Sequence, residues 1–148
     1  MTMIYVDADA CPVKPEVIRV AKRHGLEVTF VANSRMRLPE EWEAKLVIVD
    51  DQLDAADDWI VEHVAQGDIV VTGDIPLADR AIKAGVAVIE PNGRIFTAEN
   101  IGNILALRDL LHDRRGAGEN MGGPAPFRKE DRSCFLQGLE QMIQKLKQ

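Results

Sequence analysis

Asp7, Asp9 and Asp74 are the side chains of this sequence best placed to do chemistry. Three apolar runs end on acid. Met3-Ile4-Tyr5-Val6 stops at Asp7 and Asp9, Leu46-Val47-Ile48-Val49 at Asp50-Asp51, and Ile69-Val70-Val71 at Thr72-Gly73-Asp74. Short runs rich in β-formers read as buried strands, and the carboxyl ends of strands are where open α/β sheets bind ligands. Carboxylates gathered on one rim repel each other: two unit charges about 4 Å apart cost on the order of 4 kcal/mol at an effective dielectric near 20. Protons or a divalent cation must offset that repulsion. Hard oxygen donors with no histidine or thiolate spacing suit Mg²⁺ or Mn²⁺, and metal-assisted phosphodiester hydrolysis is the chemistry they suggest.

The elements that must position these acids alternate along the chain. Pro12 and Pro15 stop the first strand and let a helix run from Pro15 to Gly25. If the chain stays extended past Asp7, then Asp7 and Asp9 face the same side. Strands are predicted at 26–32, 46–49, 68–72 and 86–89, with helices at about 54–66 and from Pro76 to Gly85 between them. Strands alternating with helices indicate an α/β fold with a mostly parallel sheet covered on both faces. Pro91-Asn92-Gly93-Arg94 predicts a tight turn returning along Ile95 and Phe96. Thr97 then caps a helix reaching about His112, a glycine- and proline-rich loop covers about 114–128, and a last helix spans about 130–147.

With 148 residues the chain suits one domain spanning 1–148. Two cysteines, Cys11 and Cys134, and the lack of a long apolar stretch argue for a reducing compartment and no membrane span. A cytoplasmic location is the expectation. The net charge of −6 speaks against a general nucleic-acid coat protein. It is unevenly spread: residues 1–93 carry 17 acidic and 9 basic side chains, residues 94–148 carry 7 and 9. An acidic rim with a basic flank fits a nuclease, whose phosphate substrate needs cations near the metal. Thr72, Arg94, Arg108, Lys129 and Arg132 are the candidates to hold that substrate. Trp59 and Phe127 are candidates to stack on bases, although packing is the commoner use of an aromatic. Cys11 precedes a helix, where thiol pKa falls, but no histidine is spaced to activate it.

Asp7, the helix-borne Asp57-Asp58-Trp59-Ile60 and the strand-end Thr72-Gly73-Asp74-Ile75-Pro76-Leu77-Ala78 resemble the PIN-like nuclease superfamily in order and rough spacing. Val6-Asp7-Ala8-Asp9-Ala10-Cys11-Pro12, Asp54-Ala55-Ala56-Asp57-Asp58 and Gly122-Gly123-Pro124-Ala125-Pro126-Phe127 resemble the bacterial YaiI/YqxD family within it. The resemblance implies a three-layer α/β/α fold with strand order 3-2-1-4-5. It also implies a nuclease acting on RNA whose acids hold Mg²⁺ or Mn²⁺. By position Asp7, Asp57 and Asp74 match the superfamily's acids, while Asp9 and Asp54 look particular to the smaller family. For the acid that many PIN nucleases carry on an earlier helix, Glu16 and Glu41 are the positions available. Two other readings stand beside this one. Asp7-Ala8-Asp9 also resembles the nucleophile and acid pair of haloacid-dehalogenase-type phosphatases, with Cys11 where that motif has Thr or Val. The scaffold could also serve as a catalytically silent module binding RNA or protein, and assembly as a homo-oligomer is open.

Overall fold

The computed structural model describes residues 2–52, 54–116 and 127–147. Hydrophobic alternation builds it. β1 (Met3–Asp7) sends Ile4 and Val6 into one apolar cluster and Tyr5 into another, on opposite faces of the sheet. α1 (Lys14–His24), which brings Val17, Ile18, Val20 and Ala21 to the first cluster, leads to β2 (Glu27–Ala32) and β3 (Ala44–Ile48). α2 (Ala55–His63) and β4 (Ile69–Val71) follow, then α3 (Ile75–Lys83), β5 (Ala87–Ile89) and β6 (Ile95–Phe96). α4 (Ile101–Gly116) and α5 (Lys129–Lys147) complete the described chain.

The strands form one sheet in the order β3-β2-β1-β4-β5-β6, parallel except for β6. The expected order 3-2-1-4-5 is therefore observed, with the hairpin strand added at the far edge. Phe135, Leu139, Met142 and Ile143 of α5 join α1 over one face, while Ile60 of α2, Leu77, Ala78 and Ala81 of α3 and Ile101 of α4 cover the other. The result is helix, sheet, helix.

Two expectations change. β3 is not a buried strand but the half-exposed edge, with Ile48 48% exposed. The helix beginning after Thr97 is capped as expected: Thr97 Oγ1 accepts the Asn100 N–H at 3.1 Å, and Asn100 Oδ1 accepts the Thr97 N–H at 2.8 Å. It runs on past His112 to Gly116, because Arg114 and Arg115 are good helix formers and Gly116 is the first stop. Of the expected loop, 117–126 lies outside the described residues. No helix among the described residues is long and apolar enough to cross a membrane.

α5 is held at both ends. His24 Nε2 of α1 lies 2.8 Å from Glu140 Oε2, and that contact is the main reason the Glu140 carboxyl is held down at about 2. At the other end, Gly93 of the β5–β6 turn has φ +93°, and a Cβ there would come within 2.6 Å of the Cys134 carbonyl carbon. Left-handed strain and a backbone clash act together in Gly93→Ala, which should cost about 2 to 3 kcal/mol in urea unfolding. A loss of a few tenths would show that α5 does not sit against this turn.

Candidate functional site

β1 and β4 are parallel neighbours in register, Val6 opposite Val71, so Asp7 leaves β1 beside Thr72. Thr72 is 1% exposed and joins two of the acids. Its Oγ1 donates to Asp7 Oδ2 at 3.0 Å and accepts the Asp74 N–H at 3.0 Å. Asp74 is the N-cap of α3: its Oδ1 accepts the Leu77 N–H at 2.9 Å, and Pro76 opens the helix behind it. From across the same rim, the first turn of α2 brings in Asp57, 8% exposed and without a hydrogen bond to any described side chain.

Two of these carboxylates, Asp57 and Asp7, are raised. Burial is the main cause that pushes Asp57 up to about 7, with Asp74, Asp7 and Asp54 adding to it and Arg80 opposing. Asp7 is also pushed up, chiefly by burial and then by Asp74 and Asp9, against the pull of the Thr72 hydroxyl. Arg80 is the cation felt by Asp57, yet its guanidinium is engaged with the exposed Asp58 at 2.8 Å. Near neutral pH the cluster thus limits its own charge by sharing a proton on Asp57. Among the described residues, no three His, Cys, Asp or Glu groups are gathered tightly enough to hold a metal ion as the side chains stand. Asp7, Asp57 and Asp74 meet at electrostatic, not coordination, distance.

Asp9 does not stand beside Asp7. The chain leaves the extended form in a single 3₁₀ turn, Ala8–Ala10, and the exposed Asp9 accepts the Asn33 N–H at 3.0 Å instead. Asp54 is the left-handed residue preceding α2, φ 66°, exposed, with no side-chain cap bond. Asp50 and Asp51 follow the edge strand, two strands away from β1, and do not join the cluster. Glu16, 9% exposed, pairs with Arg132 among the residues covering the opposite face. Glu41 lies in the exposed segment between β2 and β3.

The expected basic flank is not a patch. Arg94 is bound to Glu90 Oε1 at 3.0 Å and lies 5.0 Å over Phe96. Arg108 pairs with its neighbour Asp109. Arg132 donates to the Pro12 carbonyl at 2.8 Å and lies 5.0 Å over Phe127, clamping α5 to the start of α1. Lys129 is exposed at the first turn of α5. Trp59 stacks on His63 with centroids 3.7 Å apart. Both aromatics thus have packing partners. Cys11 is buried, and that burial pushes its thiol up to about 11, which leaves it a poor nucleophile.

One acid was missed. Glu90 directly follows β5, much as Asp7 ends β1, and its Oε1 is held by Arg94. Its Oε2 is buried without a hydrogen-bond partner. The signal was in the sequence: Val86 to Ile89 is a further apolar run ending on acid.

The family model described as "Uncharacterized BCR, YaiI/YqxD family" matches residues 5–145. The chain belongs to the YaiI/YqxD family. A UPF0178 protein of Brucella ovis is 57% identical over 145 residues, spanning 97% of this chain and 90% of the relative. UPF0178 proteins of Brucella suis biovar 1 and Brucella melitensis biotype 2 match over the same spans at 57% and 56%. No solved structure matches the chain. The YaiI/YqxD match starts at Tyr5, two residues before Asp7, and every candidate acid lies inside it.

Proposed function

We propose that this protein is a metal-dependent phosphodiesterase of PIN-like type that cleaves RNA, with Asp7, Asp57 and Asp74 as the groups that hold Mg²⁺ or Mn²⁺. The observation that carries the reading is Asp57: a buried carboxyl without a hydrogen bond to any described side chain, pushed up to about 7 by burial and then by Asp74, Asp7 and Asp54. The donor set fits a hard divalent cation in kind, being carboxylate oxygen throughout. A cation bound there would supply Lewis acidity and an activated water to a phosphodiester.

The chain's own groups prepare for that. Thr72 fixes Asp7 through Oδ2 and leaves its Oδ1 free, and the α3 cap uses one oxygen of Asp74 and leaves the other. Asp57 must give up its proton on binding, so metal uptake should release protons and strengthen between pH 6 and 8. Asp9 and Asp54 act on the cluster only through their charge. The phosphatase alternative lacks support here, because the second acid of its motif, Asp9, is turned to Asn33.

The test is a cleavage screen on single-stranded RNA, structured RNA and single-stranded DNA, with Mn²⁺, Mg²⁺ or EDTA, paired with calorimetric Mn²⁺ titration at pH 6 and 8. Mn²⁺-dependent RNA scission with tighter binding at pH 8 is the expected result. Absence of both scission and heat at millimolar Mn²⁺ would leave the silent binding module in its place.

A further inference from the structure

An open cleft of about 640 Å³ lies at the carboxyl-end rim of the sheet, between the start of α1 and the segment joining β2 to β3. Cys11 and Lys14 line it from one side, Arg37, Leu38, Glu40 and Glu41 from the other. It shares that rim with the acidic cluster, Cys11 lying four residues past Asp7 at the end of β1.

Two cations face the cleft, one from each wall. Lys14 is the first residue of α1, where the helix dipole disfavours positive charge. Its ammonium is nonetheless fixed by donating to the Cys11 carbonyl at 2.8 Å, a bond that leaves further N–H groups to donate. Arg37 is exposed and makes no ion pair among the described residues, even with Glu40 and Glu41 close in sequence. Arg19 and Arg35 are likewise unpaired among the described residues but do not line the cleft, so Arg37 is set apart by its place in the cleft.

We infer that this cleft grips the phosphodiester backbone of the single strand flanking the scissile phosphate, with Lys14 and Arg37 as its phosphate contacts. The inference deepens the phosphodiesterase reading and rests on it for the identity of the ligand. Leu38, Pro12 and Pro15 give the cleft apolar surface against which bases or sugars can lie. Glu40 and Glu41 are exposed and oppose the strand, so they limit its affinity.

Fluorescence anisotropy with a labelled single-stranded RNA, in EDTA and across a salt series, tests it without catalysis. The Lys14→Ala/Arg37→Ala variant should bind on the order of tenfold more weakly at low salt. Its slope of log affinity against log salt should fall by about 1.4, or about 0.7 for each lost phosphate contact. Glu40→Gln/Glu41→Gln should bind more tightly, and Lys22→Ala, at the far end of α1, should bind as the unmodified protein does. Unchanged affinity and slope in the Lys14/Arg37 variant, or no RNA binding by the unmodified protein, overturns the inference. The two readings fail separately. RNA held with the expected slope by a protein that cleaves nothing removes the phosphodiesterase alone, whereas cleavage with an unaltered Lys14/Arg37 variant removes the cleft alone.

Discussion

Asp7→Asn and Asp74→Asn should each reduce Mn²⁺-dependent RNA cleavage by about a thousandfold or more, equivalent to roughly 4 kcal/mol of lost transition-state stabilisation. Both variants should stay folded, for reasons visible in their hydrogen bonds. Asn caps a helix as well as Asp does, so the Leu77 N–H that Asp74 Oδ1 accepts keeps its partner. An amide oxygen at position 7 can likewise still accept the Thr72 hydroxyl. What changes is charge. Single-turnover rates measure the loss, and urea unfolding within about 1 kcal/mol of the parent checks the fold. Asp74→Ala is the contrast, since it removes the cap too and should cost about 1 kcal/mol more in stability. Cleavage at the parental rate by either Asn variant would end the assignment of these acids.

Asp57→Asn should stabilise the metal-free protein at pH 8 by about 1 to 2 kcal/mol, because burial and the neighbouring acids push this carboxyl up to about 7, well above the ordinary carboxylate range, and solvent at the rim screens part of that penalty. The sign follows from proton binding. Between pH 4 and 7 the folded protein keeps a proton on Asp57 that the unfolded chain has released, so stability falls as pH rises through that window. Below pH 4 both states are protonated and the penalty vanishes. Denaturant midpoints of the two proteins should therefore converge near pH 4 and separate progressively towards pH 8. Mn²⁺ should restore the parent and do little for the variant. Parallel midpoints across this range would mean that Asp57 is not buried among like charges.

The first strand and the placement of Asp7 and Asp74 at strand ends were legible from local signals, whereas the sheet order and the choice of Asp57 came from the family resemblance. Apolar runs broken by acid, proline or glycine give strand ends, and the strand ends meet at one rim whatever the loops do. Asp9 was misread because alternation holds only while a strand lasts, and this one ends at Asp7. The Asp50-Asp51 run has the same form as the others, but which strand lies at the edge is a property of the whole sheet. The expected basic flank failed for a similar reason. Arg94, Arg108 and Arg132 find carboxylates of their own, and for Arg132 the partner, Glu16, lies 116 residues away. Glu90 was passed over although it repeats the pattern that identified Asp7.

The placement of α5 has a consequence for synthesis. It follows every strand in the chain, yet Phe135, Leu139, Met142 and Ile143 close the face formed by Ile4, Val6, Phe30 and Ile89. On the ribosome, a nascent chain can pair its strands while that face is still wet and sticky. Until α5 emerges, the growing polypeptide presents that apolar face to solvent, the kind of transient exposure that makes a folding intermediate prone to aggregate.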